Sequence, residues 1–162
     1  MFFVVDDIGI KYLNQLYKLE SLKKRYSNLR VTCFVIAKDL TPELIRWLKQ
    51  DWIEVAVHCY EHTNPPECER NDKEERIKMA LNILKPLLPE KFGFRAPGFQ
   101  MTATTYPILR KLGFWYIAHQ NRIQLLKEID DFQQDVLINT HIYDNNLDYG
   151  EQNYKFISEG FL

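Results

Sequence analysis

His58 and His62 stand four residues apart in a chain with only four histidines. They follow Trp52-Ile-Glu-Val-Ala-Val57, where Ile53, Val55 and Val57 alternate with Glu54 and Ala56 in the period-two pattern of a strand. If one helical turn follows that strand, positions i and i+4 point the same way; Asn64-Pro65-Pro66 closes off any longer helix. Two imidazoles on one face at the carboxyl end of a strand are a metal-ligand geometry. Chance also produces this spacing, so the pair gains meaning only from what accompanies it.

Three further groups accompany it. Asp6-Asp7 ends the apolar run Phe2-Phe-Val-Val5, Arg95 lies in Lys91-Phe-Gly-Phe-Arg-Ala-Pro-Gly98, and His141 closes Val136-Leu-Ile-Asn-Thr-His141. Each has a plainer reading. The acidic pair could cap a helix, Arg95 could form a surface ion pair, and His141 could be a satisfied core histidine.

The elements that must position these groups alternate. Strands are expected at 2–5, 31–37, 52–58, 91–95, 114–118 and 136–141, with a seventh at Lys155–Ile157. Helices are expected over Lys11–Tyr26, from Thr41-Pro42 to about Gln50, from Asn71 (with Glu74 three residues on) to about Leu88, from Thr102 to Gly113, and over Gln124–Phe132. Strict alternation implies parallel strands joined by crossovers, hence an α/β barrel or an open doubly wound sheet. Both place their chemistry at the carboxyl ends of strands, where Asp6-Asp7, His58, Arg95 and His141 fall.

The bulk numbers agree with one domain spanning 1–162: 46% hydrophobic and 27% charged residues, without repeat or linker. A net charge of −1 gives no general attraction to nucleic acid or membrane, and oligomeric state is not legible. Cys33, Cys59 and Cys68 are an odd number without CxxC spacing, which argues against a disulfide framework or a cysteine zinc site; Cys33 reads as a small buried hydrophobe. With no basic leader ahead of the first strand the chain reads as cytoplasmic, although a removed leader would leave the same trace and an extracytoplasmic protein.

Asp-Asp-x-Gly, His-x-x-x-His-Thr-x-Pro, Phe-Arg-Ala-Pro-Gly and a late His, in that order, resemble the polysaccharide deacetylase superfamily, the NodB-homology domains of carbohydrate esterase family four. Val31-Thr-Cys-Phe-Val-Ile-Ala37 is similar to that family's second strand. The resemblance runs from Val4 to about His141 and implies an α/β fold, a distorted (β/α) barrel of about six or seven parallel strands. It implies a metal-dependent hydrolase removing acetyl groups from N-acetylated sugars or polysaccharides by attack of metal-activated water. Asp7, His58 and His62 would hold a divalent ion, zinc first and cobalt, nickel or iron otherwise. Asp6 would be the general base, Arg95 would keep it ionised and turned, and His141 would be the general acid. Gly98 and Phe99 would serve the substrate and its oxyanion, Gly98 standing where the family usually has an aromatic residue. Tyr60, Phe99, Trp115 or Tyr143 could line a glycan groove.

The sequence also departs from that pattern. Cys59 replaces the Ser or Thr that follows the first metal histidine in the family. Phe114–Asn121 lacks the Asp that tunes the acid histidine and holds His119 instead; Asp130, Asp131 or Asp144 could substitute if the fold brings one close. A catalytically degenerate binding module is therefore an alternative. A signalling receiver shares the apolar strand and acidic pair, but it needs an acceptor Asp at the end of its third strand, where this chain has His58.

Overall fold

A computed structural model describes residues 2–120, 123–126, 132–133, 137–141 and 151–152. Strands β1 (Phe2–Ile8), β2 (Val31–Ile36), β3 (Ile53–Cys59), β4 (Gly93–Phe94), β5 (Tyr116–Ala118), β6 (Ile123–Leu125), β7 (Phe132–Gln133) and β8 (Leu137–His141) form one sheet in the order β7-β6-β5-β4-β3-β2-β1-β8. The strands from β8 through β1 to β5 pair in parallel, and β6 and β7 add antiparallel. From β1 to β5 each strand lies beside its predecessor. That is the winding of a barrel, without the reversal in strand order that defines a doubly wound sheet and a receiver. The result is a curled, mostly parallel α/β sheet, a distorted (β/α) barrel left open between β7 and β8 among the described residues.

Helices α1 (Leu16–Arg25), α2 (Pro42–Leu48), α3 (Lys73–Leu84) and α4 (Thr105–Lys111) cover the outer face. Alternation along each strand divides the core in two. Phe3, Val5, Cys33, Val35, Val55 and Val57 pack outward with helix residues such as Leu19, Leu44, Ile77 and Leu109, whereas Val4, Phe34, Ala56 and Ala118 meet inside the curl. Cys33 is a fully buried free thiol, as its position in an apolar run implied. No described helix is long and apolar enough to cross a membrane.

Several boundaries differ from the sequence reading. The helix expected over 124–132 is strand at both its described ends: Ile123–Leu125 pairs antiparallel to β5, and Gln124 pairs with Phe132 of β7, while 127–131 lie outside the described residues. Strand pairing outweighs helical propensity in so short a run. The first helix is a kinked 3₁₀ segment over Ile10–Gln15 before α1 begins. At α3 the cap position is Asp72 rather than Asn71, and its carboxylate is taken by Arg70 and Arg76. That helix ends at Leu84 because Pro86 follows, and α4 starts three residues after Thr102. Only α2 begins as read, Thr41 Oγ1 accepting the Leu44 N–H at 3.1 Å. Lys155–Ile157 lies outside the described residues.

Below the inner cluster, the Tyr116 hydroxyl donates to Glu54 Oε1 at 2.9 Å, and the Tyr116 ring lies across Gly93. A Cβ at Gly93 would stand 2.1 Å from that ring. Gly93→Ala is therefore expected to lose about 1–3 kcal/mol of unfolding free energy in urea, as an overpacked core does. An unchanged urea midpoint would mean that the ring swings aside freely.

Candidate active site

The site begins with two irregularities in the sheet. Val5 pairs with Cys33 and Ile8 with Val35, so β1 advances three residues while β2 advances two. Neighbouring side chains on a regular strand point to opposite faces, and an inserted residue re-aims them. Here Asp7 takes the left-handed conformation, φ 59°, which Asp adopts more readily than most residues. Both carboxylates consequently reach one place: His141 Nε2 lies 3.9 Å from Asp6 Oδ2 and 3.9 Å from Asp7 Oδ2. In β3 the register passes from Val57 to Cys59 while β2 moves one step, leaving His58 as the extra residue. The helix-cap reading of the acidic pair fails, because Gly9 occupies the cap position and Asp6 is buried against Arg95.

Asp7, His58 and His62 converge. Asp7 Oδ1 is 3.2 Å from His58 Nε2 and 3.5 Å from His62 Nε2, and one ligand atom from each residue lies within 4.8 Å of the others. His58 Nδ1 lies 2.9 Å from the Arg95 carbonyl, which can only accept, so this nitrogen carries a proton. In the neutral ring Nε2 then presents a lone pair to Asp7 Oδ1, a buried oxygen with no hydrogen-bond partner. In that form two acceptors face each other at a distance that fits a cation between them, whereas a protonated ring would donate its Nε2–H to Asp7. Around a tetrahedral ion with bonds near 2.0 Å, ligand atoms lie about 3.3 Å apart, close to the separations seen. Burial raises the Asp7 carboxyl pKa, but His58, His62 and His141 more than offset this and leave it below the ordinary value. His62 is pushed down, chiefly by partial burial, which favours the neutral, ligating ring.

Asp6 is held by Arg95. The guanidinium is fully buried, and Nη1 donates to Asp6 Oδ1 at 2.8 Å and Oδ2 at 3.0 Å. Nε donates to the Ala118 carbonyl and Nη2 to that of His119, each at 3.2 Å, while the Phe34 and Phe99 rings lie 4.6 Å and 5.4 Å from the guanidinium carbon. This is not the surface ion pair the sequence allowed. Burial lowers the Arg95 pKa and Asp6 works against that shift.

His141 is partly buried, and β8 pairing sets it beside Asp6. Gly98 and Phe99 both take left-handed conformations, φ 61° and 58°. The Phe99 N–H donates to the Ala96 carbonyl at 2.9 Å, so that residue contributes its ring over Arg95. His119 Nε2 is 3.1 Å from Gln124 Oε1. Asp130, Asp131, Asp144 and Tyr143 lie outside the described residues. Of the other aromatic candidates, Tyr60 packs against the outer core and Trp115 lies under Lys91.

Sequence reasoning missed two features. Lys11, Tyr12, Asp39 and Glu61 line a cavity of about 400 Å³ that reaches Asp7 and His62. Glu67, almost fully buried, accepts the N–H groups of Tyr60 and Glu61 at 3.0 and 3.2 Å. No spacing signal marks either.

The sequence model of the polysaccharide deacetylase family matches residues 5–117. The chain belongs to the polysaccharide deacetylase family. No curated protein matches it. Among solved structures, a Mycobacterium smegmatis protein assigned to the polysaccharide deacetylases is 22% identical with a TM-score of 0.56, over 72% of this chain and 49% of that one. A CE4-family pseudoenzyme from Bacillus anthracis is 14% identical with a TM-score of 0.65, over 98% of this chain and 60% of that one. A family 4 acetyl xylan esterase from Clostridium thermocellum, solved with a cobalt ion, is 15% identical with a TM-score of 0.50, over 66% of this chain and 53% of that one. This polysaccharide deacetylase domain thus spans between about half and three fifths of the length of these structures.

Within this family member Arg95 leads to a stability prediction. Arg95→Met leaves the Asp6 carboxylate buried without its donor and is expected to cost about 3–5 kcal/mol in urea unfolding. Adding Asp6→Asn should recover part of that loss. A single-variant loss under about 1 kcal/mol would show that Asp6 finds other donors or water.

Proposed function

We propose that this protein is a metal-dependent hydrolase that removes acetyl groups from N-acetylated sugars or polysaccharides. The observation that carries this reading is the convergence of Asp7 Oδ1 and His58 Nε2, 3.2 Å apart, with His62 Nε2 beside them. Asp7, His58 and His62 would hold the divalent ion, which supplies Lewis acidity to a water and to the acyl oxygen when bound. Zinc suits this donor set, as do cobalt, nickel and iron, and a cobalt ion is present in the acetyl xylan esterase structure.

The remaining roles fall to groups of the chain itself. Asp6 accepts the proton of the attacking water, and Arg95 Nη1, bonded to both its oxygens, fixes its plane. His141, at the end of the neighbouring strand, protonates the departing amine. Gly98 offers its N–H to the oxyanion. The cavity of about 400 Å³ beside His62 receives the sugar, with carboxylates from Asp39 and Glu61 to accept hydroxyl hydrogen bonds and Tyr12 as an apolar wall.

A second reading is a metal-binding module without turnover. His119, standing where the family's fourth motif supplies an Asp to tune the acid histidine, favours it.

Metal content and acetate release from N-acetylated oligosaccharides separate the readings. Chelation should abolish release, and zinc or cobalt should restore it. His58→Ala should lose the metal, whereas Asp6→Asn should keep it and lower turnover by about 10²–10⁴-fold, the usual worth of a general base. Bound metal with no turnover across acetylated sugars, amides and esters selects the second reading. A wild-type protein that takes up no divalent metal sinks both.

A further inference from the structure

Three residues separate His58, on β3, from His62, whose side chain is 48% exposed. Packing alone does little to hold a ring so open to solvent. The backbone that carries it is tied at the Tyr60 carbonyl, which accepts the Lys38 N–H at 2.9 Å, and on its N–H side by one side chain. Glu67 Oε1 accepts the Tyr60 N–H at 3.0 Å and Oε2 the Glu61 N–H at 3.2 Å, so both ties fall between the two imidazoles. The carboxylate is 1% exposed, and Arg76 Nη1 stands 3.7 Å from Oε2. Glu67 is itself anchored: it opens a 3₁₀ turn, Glu67–Glu69, and the adjacent Cys68 is fully buried in the outer core, its carbonyl accepting the Thr102 hydroxyl at 3.3 Å.

We infer that Glu67 is a positioning residue for the metal site, presetting His62 so that its ring meets Asp7 and His58 before an ion arrives. This rests on the metal reading proposed above. The residue that follows His58, Cys59, is a fully buried free thiol and a weak donor. Glu67 supplies the constraint from across the loop. Without it the Tyr60 and Glu61 N–H groups lose their acceptor, only the Tyr60 carbonyl and the Lys38–Glu61 pair still tie the loop, and part of its ordering would be subtracted from metal affinity. Partners that orient a ligand in this way are typically worth about 10–100-fold in metal affinity.

Titration of the metal-free full chain with Zn²⁺ and Co²⁺ tests this, comparing wild type, Glu67→Gln and His62→Ala. Glu67→Gln keeps one acceptor and sets an amide NH₂ against an N–H donor. It should bind Zn²⁺ about 10–100-fold more weakly, and its Co²⁺ visible spectrum should move toward that of His62→Ala. Glu67→Asp keeps the charge but shortens the reach, should behave alike, and replaces the Gln variant if that one does not fold. Wild-type affinity and spectrum in these variants overturn the inference, even if their melting temperatures fall. A wild-type chain that binds neither ion overturns the metal reading and this inference with it, a result distinguishable because it appears without any substitution.

Discussion

The mouth of the barrel depends on a buried charge pair. Arg95 follows β4, takes Asp6 from β1, and spends its remaining described donors on carbonyls at the end of β5. It therefore spans strands that are not neighbours, drawing them toward one point inside the curl. Removing both charges from water costs several kcal/mol per ion, and an apolar pair of similar volume is often as stable or more so. Stability alone gives no reason for a guanidinium between Phe34 and Phe99. Orientation does: a carboxylate gripped at both oxygens cannot rotate.

The same pair explains why the adjacent acid is free for another task. In an unbroken strand Asp7 would point to the helix-covered face and meet Val5 and Val35. The extra residue in β1 turns it inward beside Asp6, and the equivalent irregularity in β3 sets His58 opposite. Two bulges, one on each side of β2, thus build a site from residues that period-two alternation would scatter. The backbone carbonyl of Arg95 then selects the His58 tautomer. One residue governs both halves of the site, the carboxylate through its side chain and the imidazole through its main chain.

This division also marks what was legible in the sequence. The strand before His58, the cap at Thr41 and the fall of polar residues at strand ends follow from local pattern, and the structure keeps them. Barrel and doubly wound sheet could not be separated, because winding order is a long-range property that alternating elements share. The strand β6 falls where a helix was expected, since three paired residues leave no period to detect. Bulges are invisible to periodicity for a related reason: one inserted residue looks like noise in a run of seven. Glu67 lies in a stretch with Glu61 and Glu69 nearby, and nothing in the residue types says which carboxylate folds back onto the main chain.

Similarity to a pseudoenzyme over nearly the whole chain speaks to the fold, and one fold carries both active and inactive sites. Chemistry is suggested instead by one side chain whose arrangement is costly as it stands. Asp7 Oδ1 is buried without a hydrogen-bond partner, in a residue held at φ 59°. Left-handed backbone in a non-glycine residue and a stranded polar atom each cost about 1–3 kcal/mol, and both fall on one side chain. A scaffold kept only for its shape would gain by relaxing that residue to a regular strand. Asp7, His58 and His62 form a group that could hold a metal ion, and an ion there would offset both costs together.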